Sequence, residues 1–349
     1  MIAMSKTRIA HLAGMKFLLI IGVVTIHSFL SPENIEALGM VADAAGYDAT
    51  NFVSHCICRV CVPLFFLISA FLFFNGLNRF TPELYRAKLQ KRVRSLLVPY
   101  LFWCAVGVLV LIFKAKVAHM PSFGVFRPDG SVDWGTFFMG FWILPEAGYP
   151  YAFAFWFIRN LMVFCILSPL AWVLSKKWVV FALFFLVWLA DVFNFYGFEW
   201  FVAGCFFARH RLTVPRLRPW ATALLLVLFL GCACADDLSN PVLNRVLFAA
   251  EVFLGLMVAY GIAAAASRLS KYGWARTLVA STFMIYAVHQ FFCSQTRVIL
   301  ARIVGLESFG QVMAVYILTI ALLTASGVAA YMVVKKCWPR ALALITGGR

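Results

Sequence analysis

Two ionisable residues, Lys16 and His27, lie in the first long apolar run of the chain. Ionisable side chains are costly inside a membrane-spanning helix, so those found there are candidates for functional residues. Their spacing is nearly three whole turns of an α-helix, which predicts that both point the same way, about 16 Å apart along the axis. Histidine titrates near neutral pH, so His27 could remove the proton from an alcohol that then attacks an acyl donor. The alternative is a lysine reaching to the membrane surface and a histidine with a structural role.

Few other polar residues fall inside apolar runs. They are Arg59, Ser69, Arg159, Asp191, Glu199, Glu251 and His289. The chain contains no Gly-x-Ser-x-Gly turn of the kind that presents a nucleophilic serine. Direct transfer to an alcohol therefore needs fewer assumptions than an acyl-enzyme intermediate.

A basic segment precedes the third apolar run and contains Lys91, Arg92 and Arg94. Cations packed this closely can hold phosphate groups, and arginine can do so with two parallel hydrogen bonds. The alternative is that these residues only fix membrane topology or contact lipid headgroups.

Composition predicts an integral membrane protein that forms one domain over residues 1–349. Of the 349 residues, 64% are hydrophobic and 13% are charged, against about 25% charged in soluble proteins. We expect an all-α, polytopic protein with about ten transmembrane helices. The predicted spans are 13–31, 52–76, 96–113, 151–174, 178–192, 198–208, 219–235, 246–265, 278–293 and 311–334.

Charge predicts the orientation of these spans. With both termini in the cytoplasm, most Lys and Arg residues fall on the inner side and most acids on the outer side, as the positive-inside rule requires. The net charge of +16 is therefore explained by topology, and we expect a lipid bilayer rather than nucleic acid as partner. Cys56, Cys58 and Cys61 lack the paired Cys-x-x-Cys spacing of a zinc site, so no metal site is predicted.

Five stretches, in order along the chain, resemble the acyltransferase 3 family, within it the shorter branch of surface-polysaccharide O-acyltransferases. The match consists of 16–27 (a basic residue, ten others, then histidine), 59–71, 91–100, 155–161 with Ser168-Pro-Leu170, and 281–289. Two departures stand out. Ala70 replaces the usual glycine of the second motif, and Lys91 and Arg94 hold the spacing of a usual Arg-x-x-Arg.

The resemblance implies a multi-pass enzyme of the bacterial cytoplasmic (inner) membrane. It would move an acyl group, with acetyl as the default, from cytoplasmic acyl-CoA to a hydroxyl of a cell-surface glycan or lipid-linked saccharide. Acyl-CoA would be a substrate, and no permanently bound cofactor is expected. The residues implied are His27 and Lys16 as catalytic; Lys91, Arg92 and Arg94 as donor-binding; and Arg59, Ser69, Trp156, Arg159, Glu251 and His289 as acceptor-binding or orienting.

Two rival functions are compatible with the same polar residues. A glycan transporter or flippase would also place arginines and acids around a cavity, although no repeat between the two halves of the chain supports it. A sensor or scaffold with a decayed site is the second rival. The presence of both Lys16 and His27 argues against it.

Overall fold

The computed structural model describes residues 6–117, 122–127, 129–190, 192, 196–215, 217–235 and 240–348, with side chains from residue 11 onwards. These residues form helices joined by loops and one isolated β-bridge, which confirms the all-α fold. In chain order the α-helices are α1 (Lys6–Ser28), α2 (Pro32–Ala37), α3 (Ala44–Asn51), α4 (Cys61–Phe74), α5 (Pro82–Arg92), α6 (Val98–Val117), α7 (Trp134–Met139), α8 (Trp156–Ile166), α9 (Ser168–Leu174), α10 (Trp178–Leu189), α11 (Phe198–Arg209), α12 (Pro219–Cys234), α13 (Pro241–Ala266), α14 (Gly273–Ala280), α15 (Thr282–Val304), α16 (Phe309–Cys337) and α17 (Pro339–Thr346).

Four of the longer spans contain irregular helical turns, one of them the 3-10 turn Ser267–Lys271 that follows α13. A π-helical turn (Phe52–Ile57) and a 3-10 turn (Cys58–Val60) join α3 to α4, and a second π-helical turn (Val93–Leu97) joins α5 to α6. A further irregular segment, the 3-10 turn Phe153–Phe155, leads into α8. Such turns redirect the helix axis and the side chains it carries.

Five continuous helical segments in the described part of the chain are long and apolar enough to cross a membrane. They are His11–Ser28, Ala44–Phe74, Pro82–Val117, Pro241–Lys271 and Phe309–Cys337. Two bent pairs raise the number to seven, if each pair counts as one span: Phe153–Ile166 with Ser168–Leu174, and Gly273–Ala280 with Thr282–Val304. The chain is thus a multi-helix membrane protein by length and composition.

Eight of the ten predicted spans each fall mainly on one helical segment, and the spans 151–174 and 278–293 each fall on a bent pair of helices. Three of the helices are short. α10, α11 and α12 have 12, 12 and 16 residues, against roughly 20 for a helix that crosses the hydrocarbon core. The count of ten, like the cytoplasmic placement of both termini, therefore stays a prediction.

α1 is the helix around which the site is built. It packs against α4, α13, α15 and α16, with α14 also in contact. α4 and α11 form another close pair, because Gly204 lies against the backbone of the facing helix. A Cβ atom at this position would overlap the carbonyl oxygen of Leu67.

Candidate active site

A cavity of about 570 Å³ extends along α1. α1 contributes Leu12, Lys16, Ile20, Val23 and His27 to its wall. The steps of four, four, three and four residues follow one face of a helix. Lys16 and His27 therefore face the same cavity, as their spacing predicted.

Five predicted site residues line this cavity and so lie around one space. They are Lys16, His27, Ser69, Arg92 and Trp156. The rest of the wall is largely apolar and comes from α4, α8, α14 and α15. One polar member is Tyr286, whose hydroxyl donates to the carbonyl of Ala154 at 2.7 Å.

His27 is half-buried and is surrounded mainly by rings. Its imidazole meets the edge of Phe153 with ring centroids 5.5 Å apart, and it lies 5.5 Å from the ring of His289. Within the described part of the chain, neither nitrogen of His27 forms a hydrogen bond with protein. The imidazole therefore lines the cavity with neither nitrogen committed to a described residue of the protein.

His289 has one nitrogen committed to the backbone. Its Nδ1 lies 3.0 Å from the carbonyl oxygen of Ile285 and 2.8 Å from that of Tyr286. Carbonyl oxygens only accept, so Nδ1 carries the proton and Nε2 is an acceptor in the neutral ring. Nε2 is buried and has no hydrogen-bond partner among the described residues.

At the other end of the cavity the basic residues divide into two groups. Arg92 lines the cavity and lies over the ring of Phe73, 5.3 Å from its centroid. Lys88, one turn earlier, lies 4.9 Å from the same centroid and donates to the carbonyl of Phe73. Lys91 and Arg94 are exposed and are not among the residues described as lining the cavity. Sequence reasoning therefore missed Lys88, although its spacing of four from Arg92 was a usable signal.

A second cavity of about 530 Å³ adjoins the first and shares Val62 and Trp156 with it. The predicted residue Arg159 lies here, together with Asn160 and Glu199. Phe153, which contacts His27, is also part of its wall. The second cavity therefore meets the first at the His27 end.

Arg59 and Glu251 form a two-point ion pair. Arg59 Nε donates to Oε2 of Glu251 at 2.9 Å, and Nη2 donates to Oε1 at 2.8 Å. The arginine also covers the ring of Phe248 at 4.9 Å. Neither partner is among the described residues that line the two cavities. Their predicted role toward the acceptor stays a prediction.

The remaining predictions concern the polar residue Asp191 and the absence of a metal site. Asp191 lies outside the described residues. Among the residues that are described, no group of three His, Cys, Asp or Glu side chains is arranged to hold a metal ion.

Comparison with known proteins identifies the family. A family model described as an acyltransferase domain, that of the acyltransferase 3 family, matches residues 9–332, nearly the whole chain. The chain belongs to this family. No curated protein and no solved structure matches it. Membership supports an acyltransferase, and the stretch from Lys16 to His289 lies inside the matched region.

Proposed function

We propose that the protein is a membrane O-acyltransferase of the bacterial cytoplasmic membrane. It takes an acyl group, acetyl by preference, from cytoplasmic acyl-CoA and transfers it to a hydroxyl of a cell-surface glycan or lipid-linked saccharide. The observation that carries this proposal is the cavity along α1. It has cationic residues at one end, a histidine at the other and apolar walls between them.

The donor occupies this cavity lengthwise. Arg92 and Lys16 hold the phosphate groups of acyl-CoA, and Lys88 adds a third cation beside Arg92. Lys16 and His27 are about 16 Å apart along the helix axis, so only an extended, thin arm can connect the two ends. The pantetheine arm of CoA is such a group, and it brings the thioester toward His27.

His27 acts as the general base. One of its nitrogens takes the proton of the acceptor hydroxyl, and the oxygen attacks the thioester carbonyl carbon. The tetrahedral intermediate then collapses, the carbon–sulfur bond breaks, and an ester forms. The protonated imidazole returns its proton to the leaving thiolate, so no co-reactant is required.

His289 is proposed to act beside His27 as an orienting residue. Its Nδ1 proton is held by two carbonyls, which leaves the buried Nε2 as a fixed acceptor. The ring centroids of His289 and His27 are 5.5 Å apart, so this acceptor lies where it can orient the protonated His27. Ser69 and Trp156 line the same cavity as His27, and we propose that they bind or orient the acceptor there.

The test compares two matched substitutions, His27→Gln and His210→Gln. His210 directly follows α11, contacts Trp178 and Phe206, and is not among the residues that line the two cavities. Each purified protein, in lipid nanodiscs, receives radiolabelled acetyl-CoA and a glycolipid fraction from the native membrane. Loss of a general base lowers the rate by about 10²–10⁴-fold. We expect this loss in His27→Gln and a normal rate in His210→Gln.

Two results would contradict the proposal. Equal rates in His27→Gln and wild type would exclude His27 as base. A wild-type protein that neither binds nor turns over acetyl-CoA would exclude the donor and revive a scaffold role. Mass analysis of surface glycan from a His27→Gln strain separates the enzyme from a flippase: an enzyme leaves glycan export intact and removes an ester, whereas a flippase defect removes the glycan.

A further inference from the structure

The second cavity is built from elements that meet at the His27 end of α1. Its wall comes from the loops around Tyr149 and Gly197, from the start of α8 and from the start of α11. It combines Arg159, Asn160 and Glu199 with aromatic side chains. Ligand cavities of about 300–1,000 Å³ with apolar walls and a few convergent polar groups are typical of small-molecule sites.

We infer that this second cavity binds a neutral sugar ring of the acceptor, with Glu199 and Arg159 as the polar contacts that position it. This inference rests on the proposed acyl transfer, and it adds where the acceptor binds and what charge it carries.

Glu199 is the residue in this cavity that sequence reasoning left without a role. It lies in the first turn of α11, is only 5% exposed, and its Oε2 accepts from the backbone N–H of Gly197 at 3.1 Å. The two oxygens of its side chain offer more acceptor positions than the bond to Gly197 uses. Sugar hydroxyls are O–H donors that can fill the remaining positions.

Arg159 supplies the complementary donors. Its Nη1 donates to the carbonyl of Trp142 at 2.8 Å, and its Nε donates to the side-chain oxygen of Asn160 at 3.3 Å. These bonds fix the guanidinium and use two of its five N–H groups. The others, and the amide N–H groups of Asn160, can donate to sugar oxygens.

The charge of the cavity favours a neutral ligand. Glu199 and Arg159 contribute one negative and one positive group to the wall. An acidic sugar would bring a carboxylate toward the buried side chain of Glu199, and two like charges repel each other. A neutral pyranose meets no such penalty and still satisfies both residues.

Aromatic rings lead from this cavity to His27. Tyr149 meets the edge of Phe153 at 4.6 Å, and Phe153 meets the ring of His27 at 5.5 Å. Trp156 belongs to both cavities. A sugar packed against these rings therefore lies next to the end of the donor cavity where the thioester is expected.

The test measures sugar binding without any donor, so it is independent of acyl transfer. Saturation-transfer NMR is recorded on the protein in nanodiscs with methyl α-D-glucopyranoside, mannopyranoside and galactopyranoside, and with the anionic methyl α-D-glucuronide. The variants are Glu199→Gln, Arg159→Gln and Asn160→Ala. The matched control is Glu307→Gln, because Glu307 is an exposed carboxylate that is not among the residues lining the two cavities.

We expect at least one neutral glycoside to bind more tightly than the glucuronide. Its affinity should fall about tenfold or more in Glu199→Gln and Arg159→Gln, because hydrogen bonds to charged groups are lost, and should be unchanged in Glu307→Gln. Each variant should keep the helical circular dichroism spectrum of the wild type, because the described residues form helices, which shows that it is folded. Where one fails this check, the milder Asn160→Ala replaces it.

Three results would overturn the inference: no neutral glycoside binds, the glucuronide binds best, or the cavity variants bind like wild type. Failure of acyl transfer has a different signature. In that case sugar binding and its dependence on Glu199 persist while no ester forms.

Discussion

The ion pair between Arg59 and Glu251 gives the sharpest test of what holds the site in place. It joins the 3-10 turn before α4 to the middle of α13, and its two sides are unequally buried. The side chain of Arg59 is 23% exposed, whereas that of Glu251 is 0% exposed. Removing one partner therefore has a different consequence from removing the other.

Arg59→Met leaves a fully buried carboxylate without its two-point partner. Breaking a buried pair in this way costs about 3–5 kcal/mol. Glu251→Met leaves an arginine whose side chain is partly exposed and still faces the ring of Phe248, so we expect a smaller loss of about 1–3 kcal/mol. The double variant replaces the pair by apolar groups, which is often close to neutral. We expect it to lie nearer to wild type than Arg59→Met does.

The assay is unfolding in mixed micelles with increasing dodecyl sulfate, followed by circular dichroism. The free energy of unfolding is compared among wild type, the two single variants and the double variant. Additive losses would refute the reasoning, because they would mean that the two side chains do not depend on each other. Equal losses in the single variants would refute the assignment of the larger cost to the carboxylate.

The same double variant decides the open question about function. If Arg59 and Glu251 are only structural, the stable double variant retains acyl transfer. If they bind the acceptor or orient His27, as the sequence predicted, it is stable and inactive.

Three further predictions use cavity and packing residues. Arg92→Gln should raise the KM for acetyl-CoA about tenfold by removing a charge-assisted contact. Lys91→Gln should leave the KM unchanged, because Lys91 is exposed. Equal KM values for the two variants in initial-rate measurements would contradict the proposed donor site. Gly204→Ala should destabilise by about 1–3 kcal/mol through overlap with the facing backbone, while Gly231→Ala, which meets open space, should be neutral or stabilising in the same unfolding assay. Trp156→Ala removes the ring that both cavities share, which should admit water to the thioester. The ratio of acetyl-CoA hydrolysis to acyl transfer should therefore rise in a thiol-release assay. An unchanged ratio would show that Trp156 does not exclude water.

The regular part of the fold was predictable from the sequence. The apolar runs in the sequence identified segments that fold as helices or bent pairs of helices. They do so because a helix in lipid must be apolar along most of its length. The shared face of Lys16 and His27 followed from the helical repeat alone. Where the backbone departs from regularity, the prediction lost detail: the span 151–174 bends by 67° between α8 and α9. Pro169 in the first turn of α9 explains the break.

Residues whose role depends on contacts between distant segments were harder to predict. Lys91, Arg92 and Arg94 were predicted together as a closely packed basic run. In the structure it is Lys88 that lies with Arg92 over the ring of Phe73. The spacing of four residues identifies the shared helix face only once the inward face is known. Glu199 was noted as a polar residue inside an apolar run, but no pattern in α11 connects it with Arg159 on α8.

The direction of His27 itself is set by such distant contacts. The last carbonyls of a helix have no partner within the helix, and at the end of α1 other segments supply the donors. Ser54, in the π-helical turn, donates to the carbonyl of Thr25 at 3.2 Å, and the thiol of Cys293 on α15 donates to the carbonyl of His27 at 2.9 Å. Arg297, one turn further along α15, donates to the carbonyl of Phe29. The turn that carries His27 is thus bonded to two other segments, the π-helical turn and α15. α15 also carries His289. A change in α15 that moved this turn would displace both histidines together, so the residues that position the proposed base lie largely outside the helix whose sequence identified it.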